Sequence, residues 1–249
     1  MQSPMRKTYA TPYSSTPVTH TTPANALLRA LPPVEWSRLS QHMQPTLLYQ
    51  GQMLHNIDSH VERVYFVNAG MVSLLLSSEQ GAEVEVGIVG SEGIVGTSAL
   101  LGEGRAVSRA VVQIPGKALV MPAEAFRDSF KRGGKFQELQ LRYLQALLSQ
   151  TAQTALCNRL HTVEERLSRW LLVVRDRLGR DEFEITQEFI AQMLGVRRSG
   201  VTIAAGALRQ AGMIDYTRGC IHILDPEALQ GCSCACYGVV QKLFHNLYT

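Results

Sequence analysis

The sequence has few charged residues, few aromatic residues and no long hydrophobic run. Charged residues make up 18% of its 249 residues and hydrophobic residues 45%, which excludes a chain that is disordered throughout. Its densest apolar runs, 71–76 and 170–174, are far shorter than the roughly 20 residues of a membrane-spanning helix. Near the N-terminus, no apolar segment of the secretory type is present. We therefore expect a cytoplasmic protein with no membrane span and no membrane partner.

Cysteine is also scarce, and none precedes Cys157. An odd total of five cysteines in a chain of this size does not fit a secreted disulfide framework, which indicates a reduced compartment. The formal net charge of +3 permits nucleic-acid binding without indicating it.

The distribution of proline, glycine and hydrophobic periodicity divides the chain into four segments. Residues 1–23, rich in proline, threonine and serine, predict a disordered arm. Residues 24–132 contain short β-rich runs separated by glycine, which predicts an all-β sandwich or roll. Residues 133–161 predict a long helix, and 162–249 a smaller domain with a C-terminal tail. The expected fold class is α+β.

The long helix contains a seam of residues at alternating spacings of three and four, typical of two heptad repeats. We interpret the seam as a dimer interface, with a helix packed on its own domain as the alternative. A capping box of Thr162 and Glu165 predicts that a new helix begins there. The predicted interface residues are Leu141, Leu144, Leu148, Thr151 and Ala155.

Residues 185–224 predict a winged helix-turn-helix. Two short helices, 186–194 and 198–210, are joined through Gly195, which suits a tight turn. Alternating strands around Arg218 then predict a β-hairpin wing. The apolar residues of the C-terminal tail predict a short amphipathic helix that packs on this wing. In the second helix, the core-facing residues are Val201, Ala204, Ala205 and Leu208.

The opposite face of the second helix has short side chains, which would let its backbone enter a DNA groove. The lone isoleucine there, Ile203, can contact a thymine methyl group, and Arg198 can donate to guanine or phosphate. Arg218 at the wing tip and Thr186 at a helix N-terminus are candidate phosphate contacts. The predicted DNA-binding residues are Thr186, Arg197, Arg198, Ser199, Thr202, Ile203 and Arg218.

Residues 185–224 resemble the DNA-binding domain of the Crp/Fnr family of bacterial transcription regulators. The order of β-roll, long helix and winged domain is also similar, so the resemblance covers about residues 30–224. The resemblance implies a homodimer that binds a two-fold symmetric site on double-stranded DNA, with RNA polymerase as a candidate partner. Arg198 falls on the family's base-reading arginine. Ser199 and Ile203 replace a Glu and an Arg of the cyclic-AMP receptor branch, so a different DNA target is expected.

The resemblance also implies that residues 24–132 form a sensor domain, a cyclic-nucleotide-binding-like β-roll of the double-stranded β-helix, jelly-roll-like type. Its phosphate cassette corresponds to residues 90–111. The pattern departs from the family where Ile94 replaces a ribose-binding Glu and Ala106 replaces the hydroxyl residue after Arg105. Cyclic AMP, another nucleotide, another small molecule or no ligand at all remain open, and no cofactor is certain. The candidate effector-binding residues are Gly90, Glu92, Gly93, Gly96, Arg105, Ser108, Arg109 and Thr151.

Histidine and cysteine residues bear on three further sensing chemistries. The family's oxygen-sensing branch binds an iron–sulfur cluster through N-terminal cysteines, which this chain lacks. Haem binding through His42, His55 or His60 is an alternative to ordinary surface histidines. Cys232, Cys234 and Cys236 could bind a soft metal or respond to oxidation, but without a zinc-type spacing we interpret them as packing residues and predict no metal site.

No set of residues predicts an enzyme. A metal-dependent β-helix enzyme would need converging histidines and carboxylates, and the β region offers only His55 and His60 on a predicted loop. We therefore predict no catalytic residues. An effector-independent regulator, and a ligand-binding interaction module that does not bind DNA, remain the alternatives to an effector-gated regulator.

Overall fold

The computed structural model describes residues 23–217 and 219–248. The predicted N-terminal arm, apart from Pro23, and the predicted phosphate contact Arg218 lie outside these described residues. Among them, no helix is both long enough and apolar enough to cross a membrane.

A six-stranded antiparallel sheet forms the N-terminal domain, as the glycine-separated runs predict. Its main path is β1-β6-β3-β4, with β2 paired to β6 and β5 paired to β3. Two short helices precede it, and a 3-10 turn (Thr97–Leu100) follows β5. The elements are α1 (Ala26–Arg29), α2 (Pro33–Ser40), β1 (Gln44–Leu48), β2 (Met53–His55), β3 (Arg63–Ser77), β4 (Glu83–Val89), β5 (Ile94–Val95) and β6 (Arg109–Pro122).

Strand β3 unites two runs that the sequence predicts as separate strands. Gly70 lies between them with φ of +86°, and a Cβ atom there would lie 2.6 Å from the Ile114 carbonyl oxygen of β6. The pairing of β3 with β6 shifts register on both sides of this glycine. Glycine therefore bends one long strand here instead of ending it, because only glycine tolerates both the dihedral and the close approach.

Three helices follow the sheet: α3 (Ala123–Lys131), α4 (Gly134–Leu160) and α5 (Val163–Leu178). The predicted capping box separates α4 from α5. The Glu165 backbone N–H donates to Thr162 Oγ1 (3.3 Å), and the Thr162 N–H donates to the Glu165 carboxylate (2.8 Å). Gly179, in the left-handed conformation, ends α5.

The C-terminal domain is a winged helix-turn-helix, as predicted. Its three-stranded antiparallel sheet has the order β7-β9-β8. Gly195 takes the left-handed conformation that ends the first helix of the motif. The elements are β7 (Glu182–Glu184), α6 (Gln187–Leu194), α7 (Arg198–Gln210), β8 (Ile214–Thr217), β9 (Cys220–Ile223), α8 (Pro226–Cys232) and α9 (Cys236–His245).

Helix α5 lies at the centre of the molecule. All of its residues from 166 to 174 are buried. One hydrophobic core surrounds it and combines Met71 and Ile88 of the β-roll with Ile190 of α6 and Val201 of α7. The two domains therefore share a packed core through this helix.

The C-terminal tail does not pack as the sequence suggests. We expected its amphipathic helix to lie on the wing, but α9 packs mainly on α4 and also on α5. Val240, Phe244 and Leu247 join the hydrophobic core of the β-roll beside Tyr143. The expectation was wrong because the apolar residues of α9 pack with the α4 residues that cover the β-roll.

Candidate functional site

Helix α7 presents the two faces that its sequence predicts. Its four core-facing residues are at most 4% exposed. On the other side Ser199, Thr202, Ile203 and Gly206 are exposed, and Ile203 has 67% of its surface open to solvent. A large apolar side chain surrounded by small residues on an open helix face is a surface suited to a DNA groove.

Two arginines stand at the N-terminal end of α7. Arg197 is the N-cap residue and Arg198 the first helical residue, and both are exposed. Arg198 Nε lies 3.9 Å from the Glu188 carboxylate, an exposed and weak contact that a phosphate or a guanine base can replace. Their position adds two positive charges to the backbone N–H groups of a helix N-terminus, which already favours anions.

The two predicted threonine contacts connect α6 to α7. Thr186 is the N-cap residue of α6, where its Oγ1 accepts from the Phe189 N–H (3.2 Å). The Thr202 hydroxyl donates to Gln187 Oε1 (2.8 Å), which ties the outer face of α7 to the start of α6. Both threonines are exposed, so their hydroxyls can accept further hydrogen bonds.

Three of the five predicted seam residues on α4 are exposed in the described part of the chain. Leu148 is 72% and Leu141 53% exposed, and Ala155 is exposed as well. This stripe lies on the side of α4 opposite Leu139 and Ala146, which face the β-roll. Leu144 is half-buried, as is Thr151, whose hydroxyl donates to the Leu147 carbonyl. The two exposed leucines therefore do not pack on their own domain, whereas the opposite side of α4 does.

The predicted effector residues include a carboxylate that already has partners. Glu92 forms an ion pair with Arg177 of α5 at 2.8 Å, with both side chains largely buried. The Gly90 N–H donates to the Glu92 carboxylate (2.9 Å), and Tyr248 of the tail donates its hydroxyl to the Glu92 carbonyl. At Gly93, a Cβ atom would lie 2.4 Å from the Tyr143 hydroxyl, so this glycine provides room for the tyrosine.

The remaining effector candidates engage other groups. Arg105 is exposed and donates to the Asp58 carbonyl (2.7 Å), whereas Arg109 pairs with Glu83 of β4. Ser108 is buried, and Gly96 starts the 3-10 turn with φ of +98°. Thr151 uses its hydroxyl proton within α4. Both arginines therefore already have partners within the chain.

Sequence reasoning missed a buried polar contact between the domains. Glu85 of β4 accepts from the Ser73 hydroxyl (2.5 Å) and from the Trp170 indole N–H of α5 (2.9 Å). Burial raises the pKa of Glu85 to about 7, although the hydrogen bonds from Ser73 and Trp170 act in the opposite direction. This carboxyl group connects the β-roll to the helix that carries the DNA-binding motif.

Sequence reasoning also missed a cluster of three cysteines and one histidine. The ligand atoms of Cys157, His161, Cys234 and Cys236 lie within 4.8 Å of one another. Cys220 and His222, which the sequence places just upstream of the cysteine-rich tail, lie on β9 and take no part in the cluster. The pair on α4 could not be found from spacing alone, because it lies far from the tail in the sequence.

Comparison with known proteins agrees with this architecture. Residues 46–132 match the model of the cyclic nucleotide-binding domain, and residues 165–232 match that of the Crp-like helix-turn-helix domain. The chain is 30% identical to the global nitrogen regulator of Synechocystis over 182 residues, which are 68% of this chain and 79% of that protein.

Two more distant proteins are similar over a larger share of the chain. The CRP-like cAMP-activated global transcriptional regulator of Mycobacterium tuberculosis is 24% identical over 82% of this chain and 94% of that protein. A structure of a Crp/Fnr family protein from Eubacterium rectale superimposes with a TM-score of 0.67 at 19% identity, over 83% of this chain and 96% of that one. At this identity the structural match supports the fold alone.

The position of Glu85 leads to a prediction of pH-dependent stability. Because its pKa is raised, the neutral carboxyl group stabilises the folded state. This contribution is complete below the ordinary pKa of 4.5 and is lost as the pH rises through about 7. We expect Glu85→Gln to remove this loss. Between pH 5 and pH 8 the free energy of unfolding of the wild type should fall relative to the variant by on the order of 3 kcal/mol, measured by urea denaturation. Parallel pH profiles for the two proteins would contradict the assignment.

Proposed function

The chain belongs to the Crp/Fnr family of transcription regulators, and from this premise we propose that it binds a two-fold symmetric DNA site as a homodimer in the cytoplasm. Two protomers pair along α4, and each places its α7 in one of two major-groove half-sites. The observation that carries the proposal is the open face of α7, with Ile203 at its centre and Arg197 and Arg198 at its N-terminal end.

The surface of α4 supports the dimer. Leu141, Leu148 and Ala155 recur every seven residues on its exposed side, a pattern typical of a face that packs against a second helix. The small residue Ala155 in the C-terminal half lets the two helices approach closely. A pair of identical helices also supplies the two-fold axis that a palindromic DNA site requires.

The contacts around α7 support separate roles for its neighbouring residues in binding bases and in binding phosphates. Arg198 and Ile203 are exposed on a helix whose other face is fixed in the core, so they are suited to read bases. Thr186 at the N-terminus of α6 is suited to bind a backbone phosphate. Ser199 and Thr202 are short enough to allow close approach of the α7 backbone.

For the β-roll, a small effector is the candidate ligand because the domain matches a cyclic nucleotide-binding model. The Mycobacterium relative is named as activated by cyclic AMP. In this chain the position of the ribose-binding Glu is taken by Ile94, which is buried in the β-roll core, and Arg105 is turned to the surface. These features favour an effector other than cyclic AMP, or regulation without one.

The role of Arg198 gives the first test of DNA recognition. Replacing it with alanine should weaken binding to the specific site by about 1–3 kcal/mol and relax base preference, because a base contact is lost. Arg209→Ala is the matched control, since Arg209 lies at the other end of α7 and pairs with Asp215. Fluorescence anisotropy with specific and scrambled duplexes measures both effects. Equal base discrimination by Arg198→Ala and wild type would contradict the assignment.

The seam on α4 gives a test of assembly. Leu148→Glu should convert the dimer to a monomer at micromolar concentration, because two carboxylates would face each other across an apolar interface. Ser149→Glu adds the same charge at the next position, about 100° around the helix, and should leave the dimer intact. Sedimentation velocity measures the masses. A monomeric wild type, or a dimeric Leu148→Glu variant, would overturn this part of the proposal.

The burial of Ile94 gives a test of the effector. We expect cyclic AMP to leave the DNA affinity of the wild type unchanged, because the position that would bind its ribose is a buried isoleucine. Anisotropy titrations with and without the nucleotide, together with calorimetry on the protein alone, provide the measurement. A saturable heat of binding accompanied by tighter DNA binding would show that the β-roll accepts cyclic AMP after all.

A further inference from the structure

Two pairs of cysteine and histidine side chains, of types that can bind a metal, come from distant parts of the chain and lie together beside the junction of α4 and α5. Cys157 is in the last turn of α4, and His161 is the C-cap residue four positions later, so both side chains lie on one side of the helix. Cys234 lies in the segment between α8 and α9, and Cys236 is the first residue of α9. The fold therefore brings a Cys-x3-His pair to a Cys-x-Cys pair.

Two of the separations among the four ligand atoms fit a single tetrahedral ion. Cys157 Sγ lies 3.5 Å from Cys234 Sγ, and Cys236 Sγ lies 3.6 Å from His161 Nδ1. With zinc–sulfur bonds of about 2.3 Å and zinc–nitrogen bonds of about 2.0–2.1 Å, a tetrahedral site separates two sulfurs by about 3.8 Å and a sulfur from a nitrogen by about 3.6 Å. The observed separations are close to both values.

The surroundings of the cluster are those of an enclosed site. The three cysteines are buried and form a small cluster of their own, separate from the three hydrophobic cores. His161 is half-buried beside them. Four protein ligands leave no open position, which is typical of a structural zinc site and not of a catalytic one.

Two buried arginines offset the charge that such a site would carry. Three thiolates and a neutral histidine around a divalent ion leave one net negative charge. Arg166 and Arg169 of α5 lie close enough to interact electrostatically with Cys157. The Nε–H groups of both arginines have no hydrogen-bond partner among the described residues. Buried cations near a cluster of thiols are consistent with thiolate ligands.

Other uses of the cluster fit the geometry less well. A disulfide between Cys157 and Cys234 would require their sulfurs to approach to about 2.05 Å and would leave Cys236 and His161 without a role. An iron–sulfur cluster places several iron and sulfide atoms between its ligands, so its cysteines stand farther apart than ligands of one ion.

We propose that Cys157, His161, Cys234 and Cys236 bind one zinc ion, which fastens the C-terminal tail to the end of the dimer helix. The tail then runs along α4, where Phe244 packs under the Arg177 guanidinium at 4.6 Å and Tyr248 donates to Glu92. The ion thus anchors a segment that reaches from the hinge of the DNA-binding domain to the candidate effector residues of the β-roll.

The metal content of the purified full-length protein tests the proposal. Plasma mass spectrometry should find one zinc ion per protomer. After dialysis against a chelator that leaves the wild type loaded, Cys234→Ser and His161→Ala should each retain less than about one-tenth of that content, because each removes a ligand. Cys232→Ser and Cys220→Ser are the matched controls and should retain all of it, since neither thiol belongs to the cluster.

A second measurement on the wild type guards against variants that fail to fold. Replacement of zinc by cobalt(II) should give the visible and near-ultraviolet absorption of tetrahedral cobalt with thiolate ligands. Wild-type protein that binds neither metal would overturn the proposal. It would also be overturned by iron together with inorganic sulfide, or by a Cys157–Cys234 disulfide in protein purified without oxygen. None of these results depends on DNA binding, so failure here leaves the proposed function intact.

Discussion

The burial of α5 on all sides is the constraint on which the arrangement of the two domains depends. An amphipathic helix buries one face against one partner. Because all residues of α5 from 166 to 174 are buried, this helix must pack against other elements on every side. The β-roll covers it through Met71 and Ile88, and the helix-turn-helix covers it through Ile190 and Val201. The Trp170 indole, almost fully enclosed, donates its N–H to Glu85 of the β-roll and so fixes the orientation of the helix. Neither domain can move without repacking this helix.

This constraint connects the β-roll to the DNA-binding domain. The capping box at Thr162 starts α5 as a separate helix, so its direction is independent of α4. Arg177, near the other end of α5, pairs with Glu92 among the candidate effector residues. A ligand that drew Glu92 away would act directly on α5, against which α7 packs. Any ligand of the β-roll that changes DNA binding is therefore expected to act through the position of α5 and not through α7 itself.

Features set by local sequence could be predicted, and features set by contacts between distant residues could not. The capping box, the turn at Gly195 and the two faces of α7 follow from periodicity and backbone preferences over a few residues, and the structure confirms them. Glu85 and Trp170 are 85 residues apart, and Cys157 and Cys234 are 77 apart, so neither contact has a signal in spacing. The position of α9 was mistaken for the same reason, because amphipathicity shows that a helix packs but not against what. The family pattern identified the β-roll, yet only the structure revealed that Glu92 is already paired.

Selection of DNA from a random pool by the full-length wild-type protein shows directly whether two α7 helices read one symmetric site. A dimer paired along α4 should enrich a two-fold symmetric sequence whose half-site centres are about one helical turn, roughly 34 Å, apart. Such a spacing would follow from two α7 helices related by the axis of the α4 pair. Enrichment of a single asymmetric half-site, or no enrichment over the starting pool, would contradict it.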